Sequence, residues 1–209
     1  IAKVAGIVVL SDELVKRSDG AAERIILSSL QKDIAGYLDS QFLDPSVAET
    51  ANNPASITNG VAPIASTGTT AEAFDADLDA AISKFLEANE SLAGCYWVMS
   101  EVMESRLSSL RDSLGRKYFD EMGQNKLKGL PVVASQSAGD KIILVKPGNI
   151  LLADEGGVDY NVSNEASVTI GGKLISLWER NLTGVRAERF INWKAYRTAA
   201  AWIDYTPTP

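Results

Sequence analysis

An α+β fold in two subdomains is what this sequence of 209 residues predicts, and three observations carry it. From about Gly20 onward, Ile26, Leu27, Leu30, Ile34, Tyr37, Leu38 and Phe42 fall at the three-and-four spacing of one helical face. Short apolar runs of strand length recur before that helix and through the second half of the chain, punctuated by Gly and Pro. Between them, Asp44 to Thr70 is rich in Pro, Ala, Ser, Thr, Asn and Gly, with almost no charge after Glu49, the composition of a connector.

In chain order, Val4–Leu10 is a continuous β-rich run that reads as a strand buried on both faces. It leads through Ser11 to Leu14 into the long helix, where Ser18 and Asp19 can cap the free N–H groups and Glu23 sits in the first turn. Asp44-Pro45 ends it, after roughly 35 Å at 1.5 Å per residue. A second helix is expected over Ala71–Leu86, with Thr69 and Glu72 at capping-box spacing and Phe74, Leu78, Ile82, Phe85 and Leu86 on its apolar side. Gly94 precedes a strand, Cys95–Ser100, and a third helix follows over Glu101–Leu114. Gly115–Phe119 returns as a short extended segment, and the loop 123–128 leads to Gly129–Ser135. Further short strands are expected at Lys141–Val145, Ile150–Ala153, Val158–Ser163 and Ser167–Ile170, with a Pro147-Gly148 turn and glycine pairs as breakers. Late in the chain Val185, Ala187, Ile191, Trp193 and Ala195 alternate with Arg186, Glu188, Asn192 and Lys194, as in an extended strand. Arg189 and Phe190 break that alternation and suggest a bulge, and Ala199–Ile203 is expected to pair back antiparallel. The early strand, long helix and late strands group as one discontinuous unit, and the middle of the chain as another.

Chemistry is constrained by absences. With no histidine, the chain lacks the commonest general base and metal ligand, and its single Cys95 forms no internal disulfide or CxxC pair. Cys95 lies in the apolar run Cys95–Met99 and reads as a small buried hydrophobe. The triplet Asp75, Asp77, Asp79 resembles the start of a calcium loop, yet it lacks the Gly at the sixth position and has Leu86 at the twelfth. An acidic first turn of a helix explains it more simply. Ser29 and Lys32 have the SxxK spacing of serine acylases, but inside a long helix, with neither Ser-Asp-Asn nor Lys-Thr-Gly downstream. No phosphate-binding glycine loop is present, Gly171-Gly172-Lys173 reads as a turn, and no carboxylate pair stands out for hydrolysis. Sequons at Asn89, Asn161 and Asn181 carry no weight without a secretion signal. No catalytic, cofactor-binding or metal-binding residue is therefore assigned. A net charge of −7 argues against a dedicated polyphosphate surface, and no apolar run approaches the ~20 residues needed to span a bilayer.

Three signatures together resemble the major capsid protein of tailed bacteriophages, in the HK97-like fold family. The first is Gly6–Leu14, GIVVLSDEL, feeding the long helix. The second runs from Tyr96-Trp97-Val98-Met99 to Gly115–Phe119, GRKYF, and on into Lys128–Val133, KGLPVV. The third is Arg186–Phe190, RAERF, followed by Lys194-Ala195-Tyr196-Arg197 and a final apolar strand. The resemblance implies a peripheral (P) domain at 1–51 and 171–209, with a spine helix on long antiparallel strands. It also implies an axial (A) domain at 52–170, a mixed sheet with flanking helices. It implies a structural shell protein of a phage or prophage that assembles with itself, as pentamers and hexamers, into an icosahedral head. Such a head encloses double-stranded DNA without reading its sequence. A scaffolding protein, a maturation protease and a portal are the further partners, the host cytoplasm the site of assembly, and the virion the final location. No membrane is implied.

The arm and hairpin loop that precede the first strand in the family are not in this sequence, which has no initiator Met and reads as a piece of a longer product. Without them the chain is expected not to close into shells by itself. Some relatives crosslink through a Lys–Asn isopeptide bond promoted by a carboxylate. Asn181 and Glu188 match those positions weakly, and two polar residues on a solvated strand is the simpler reading. An encapsulin-type nanocompartment shell, which shares the fold, is the alternative; a serine or carboxylate hydrolase is a remote one.

Overall fold

The computed structural model describes residues 2–13, 21–112 and 114–205. The elements in chain order are β1 (Lys3–Ser11), α1 (Ala21–Leu43), β2 (Ile64–Ala65), α2 (Ala71–Glu87), β3 (Tyr96–Met99), α3 (Glu101–Ser109), β4 (Lys126–Leu127), β5 (Leu130–Ala134), β6 (Lys141–Val145), β7 (Ile150–Asp154), β8 (Asp159–Ser163), β9 (Ser167–Ile170), β10 (Lys173–Ser176), β11 (Leu182–Ala195) and β12 (Ala200–Asp204). Contacts divide the chain into two compact units, Ile1–Leu38 with Ala153–Asn192, and Asp39–Leu152 with Trp193–Pro209. The sequence reading divides the chain at 51/52 and 170/171 instead. The contact-based divisions shift because β8 pairs with β11 and draws 153–170 to the first unit, while β12 pairs with β6 and draws the C-terminal strand to the second.

In the first unit β1 runs antiparallel to β11 in an unbroken register, from Lys3 opposite Phe190 to Ser11 opposite Leu182. The bulge expected at Arg189 and Phe190 is therefore absent from this pairing. On the other edge of β11, β8 pairs from Asp159 opposite Glu188 to Ser163 opposite Gly184. β1 is thus an edge strand, and the expectation that it is buried on both faces is corrected: Ile7 is 54% exposed. An antiparallel sheet needs cover on one face only, and α1 supplies it on the face of Gly6. The Leu30 side chain lies 3.3 Å from where a Cβ on Gly6 would stand, so the missing side chain lets helix and strand approach closely.

Along α1, Leu30, Ile34, Leu38 and Leu43 are buried, a narrower stripe than the sequence suggests, and Tyr37 is 46% exposed. The helix ends at Leu43 as the Asp44-Pro45 signal requires, and the Asp44 carboxylate accepts from both the backbone N–H and the hydroxyl of Ser46 at 2.9 Å. Ser18 and Asp19 lie outside the described residues, as does the side chain of Glu23.

The second unit holds a mixed sheet in the order β2-β12-β6-β3-β5-β4. Its central strand β6 pairs antiparallel with both β12 and β3, and β3 pairs parallel with β5. Phe74, Leu78 and Phe85 of α2, Met103 and Leu107 of α3, and Trp97, Met99, Ile142 and Leu144 of the sheet make a continuous, fully buried core. Cys95 joins it, as expected. Leu86 is exposed rather than part of the apolar side of α2.

Two boundaries differ from the sequence reading for local reasons, and one pairing differs for a reason that spans the second unit. The cap of α2 is Thr70, not Thr69, its hydroxyl accepting from Ala73 N–H at 3.3 Å. α3 stops at Ser109 rather than Leu114, because the Asp112 carboxylate draws the N–H groups of Leu114 and Arg116 into a turn, each at 2.9 Å. β12 does not pair back on β11; four of its five residues are buried, which suits an interior strand between β6 and β2. β10 is missed by the sequence reading and forms a hairpin with β9.

Candidate functional site

Glu188 is the most unusual side chain of the late strand. A position expected on a solvated face is only 8% exposed. In a strand, residues two apart share a face, so Arg186 stands beside Glu188, and Lys3 reaches it from β1, whose Ala5 lies directly opposite. Lys3 Nζ and Arg186 Nε each lie 2.8 Å from the same oxygen, Oε1. The hydrogen bond from Lys3, with the charges of Arg186 and Lys3 itself, holds the Glu188 carboxyl below the usual carboxylate range against the opposing cost of burial. The sequence reading sets Arg186 on the same strand face as Glu188 without pairing the two, and it does not include Lys3. The i, i+2 spacing could have revealed Arg186, whereas Lys3 depends on a register fixed only by folding.

Asn181 is not brought to this cluster. It sits in the turn before β11 with φ 55°, exposed, its carbonyl accepting from Asp12 N–H at 3.1 Å. Thr183 Oγ1 donates to the Asp12 carboxylate, so the end of β1 and the start of β11 are tied twice. Seven residues of extended strand, roughly 20 Å, separate Asn181 from Glu188, and a carboxylate already engaged by two cations is poorly disposed to take a proton. Within one chain the pair makes no reactive site.

The remaining candidates find structural roles. Asp77 is buried and accepts from Thr67 N–H, from Thr67 Oγ1 at 2.8 Å and from the Tyr205 hydroxyl at 3.0 Å. Burial and the adjacent Asp77 push the Tyr205 phenol up, keeping it a neutral donor. Asp75 and Asp79 both engage Lys128, at 2.5 and 2.9 Å, so the triplet is spent on protein partners. Lys128 itself has φ 52° in a turn whose N–H, with that of Gly129, is held by the Glu121 carboxylate. Burial raises the Cys95 thiol above its ordinary value, the opposite of activation. Ser29 and Lys32 are both exposed on α1 and make no hydrogen bond with one another. Gly171 and Gly172, with φ 57° and 78°, form the two-residue turn of the β9–β10 hairpin.

Comparison with known proteins places this architecture. The profile of the phage capsid family matches residues 1–203. The chain is 40% identical over 216 residues to the capsid polyprotein of Pseudomonas phage PAJU2, covering 95% of this chain and 32% of that protein. It is 27% identical to the major capsid protein of Klebsiella oxytoca phage phiKO2, covering 85% of this chain and 45% of that protein. The chain thus spans about a third to a half of the length of these curated relatives. A solved structure from Gordonia phage Cozz superposes with a TM-score of 0.76 at 17% identity, covering 99% of this chain and 70% of that one. The fold is the HK97-like fold of phage capsid proteins.

Proposed function

The chain belongs to the phage capsid family, and from that premise we propose that it is the shell-forming part of a major capsid protein, from a tailed phage or prophage. Copies of its parent protein assemble into pentamers and hexamers that tile an icosahedral head around double-stranded DNA. The match of the family profile across residues 1–203 carries this reading, because it spans both compact units. We assign the first unit to the peripheral domain and the second to the axial domain. The function is geometric: each copy makes rotationally repeated, heterologous contacts that close into rings. Contacts of modest size suffice when every subunit makes many of them. The net charge of −7 suits a container whose contents must leave, since acidic walls neutralise few phosphates. Catalysis has no part in this reading. Assembly in the host cytoplasm, with a scaffold, a maturation protease and a portal as partners, belongs to the same proposal.

The test is electron microscopy and nuclease protection on particles of the full-length parent, expressed with its neighbouring head genes. Closed icosahedral particles protecting double-stranded DNA are expected. Particles that enclose an enzyme and no nucleic acid would favour a nanocompartment, and absence of closed particles would count against a shell altogether.

A further inference from the structure

Two stretches of the chain, 141–152 and 193–203, hold no Asp or Glu in a protein whose net charge is −7. Folding lays them side by side within the second unit. Lys146 N–H donates to the Ala199 carbonyl at 2.8 Å, Asn149 Nδ2 to the Thr198 carbonyl at 2.8 Å, and Tyr196 N–H to the Asn149 carbonyl at 3.2 Å. The Tyr196 hydroxyl donates to the Gly148 carbonyl at 2.9 Å, which fixes a ring that is still 52% exposed. Arg197 Cζ lies 5.8 Å from the centroid of that ring, so the guanidinium is held against an aromatic face. Lys194, two residues before Tyr196 at the end of β11, is exposed and pairs with no carboxylate among the described residues.

The carboxylate that reaches this surface is Glu90, and it is already committed. Lys146 Nζ lies 2.8 Å from its Oε2, with the two side chains only 14% and 12% exposed. Arg197 Nη1 stands 3.7 Å from its Oε1, beyond hydrogen-bond reach, and the Arg197 side chain is 66% exposed. One carboxylate between two cations leaves a positive charge over, and Lys194 adds a second. Guanidinium and ammonium groups are the donors that proteins turn toward phosphate oxygens. We propose that Lys194 and Arg197, set in place by Tyr196 and the Lys146–Glu90 pair, form a contact surface for the phosphates of duplex DNA. The proposal rests on the shell reading above, which supplies the duplex, and it names the residues through which a net-negative subunit touches it. Two cations neutralise about two phosphates per copy, so one subunit binds weakly and in a salt-dependent way. Repetition over many copies makes the sum appreciable, while each contact remains easy to release.

Binding is measured by fluorescence anisotropy on unassembled subunits of the full-length parent, with a short fluorescein-labelled DNA duplex over a series of NaCl concentrations. Lys194→Gln removes no partner, and is expected to keep the thermal midpoint and to make the slope of log K against log salt shallower by about 0.9. With Arg197→Gln added, the slope is expected to become shallower by about 1.8 in all. Lys194 is read separately in closed particles by acetylation and mass spectrometry. It is expected to react several-fold more slowly when the particles are filled with DNA than when they are empty. Subunits that bind no duplex, binding unchanged in the double variant, or equal acetylation of Lys194 in filled and empty particles would overturn the proposal while leaving the shell reading intact. Tighter binding of polyglutamate or of phosphatidylserine vesicles than of the duplex assigns the surface to an acidic protein segment or a lipid headgroup layer, and also overturns it. If the parent forms no closed particles, the shell reading falls, and the subunit titration still decides whether this surface takes DNA.

Discussion

At the scale of single residues, the chain uses its carboxylates as internal connectors. Glu188 joins two cations on one sheet face, and its lowered pKa fixes the sign of a pH effect. A carboxyl depressed in the folded state contributes stability that is present above its unfolded value of about 4.3 and is lost as pH falls through the folded value. Glu188→Gln is therefore expected to lower the thermal midpoint at pH 7 and to make no difference once the pH is well below 4. Melting curves of both proteins from pH 3 to 8 check this, and a midpoint difference that does not shrink in acid would refute it. Asp77 presents a sharper case, with Thr67 and Tyr205 both bonded to one buried carboxylate. Asp77→Ala strands buried donors and is expected to cost about 3 kcal/mol, read by urea denaturation. Asp77→Asn, which keeps an acceptor, is expected to cost less. Nothing in the Asp75-Asp77-Asp79 spacing distinguishes these fates. On a helix the middle residue turns inward, toward a Tyr and a Thr that folding alone brings there.

Among the elements, periodicity was enough for whatever buries a continuous face. α1, α2 and β6 stand within a residue or two of where their patterns place them. Legibility fails where a single polar side chain overrides propensity, as Asp112 does in ending α3 early. It fails also where pairing is decided across the chain. β12 looks the same to local pattern whether it pairs with β11 or with β6, and its preference for the sheet interior is a property of the second unit's core. The candidate site was least legible of all, since Lys3 and Glu188 are 185 residues apart. Helix α1 affords a direct test of the burial that was legible. Leu30→Asp or Ile34→Asp places an unpaired carboxylate where these residues are 4% exposed. Such a group costs several kcal/mol, comparable with a domain's whole margin of ~5–15 kcal/mol. Loss of the cooperative transition is expected by circular dichroism, whereas Ile25→Asp, at a position exposed on the same helix, should melt near the wild type.

For the whole molecule, the two units differ in how much they bury. The second unit closes a core in which Phe74, Leu78, Phe85, Trp97, Met103 and Leu144 have no exposure. The first unit relies on the narrow α1 stripe, with Val185, Ala187 and Leu177, while Ile7, Tyr160, Val162, Ile170 and Leu174 of its strands remain in water. Local opening free energy follows buried apolar contact, so amide protection should be uneven. In unassembled subunits, amides of β8, β9 and β10 are expected to exchange on the order of a hundredfold faster than those of β3, β6 and β12. If shell contacts supply the cover that the first unit lacks, assembly will raise protection chiefly in β9 and β10 and leave the second unit's core strands little changed. Hydrogen exchange read by mass spectrometry on subunits and particles separates the possibilities. Equal protection in both units of the free subunit would mean that the exposed strands are held by something other than apolar burial. A rise on assembly confined to β3 and β6 would place the stabilising contacts in the second unit, against the distribution of exposed apolar surface.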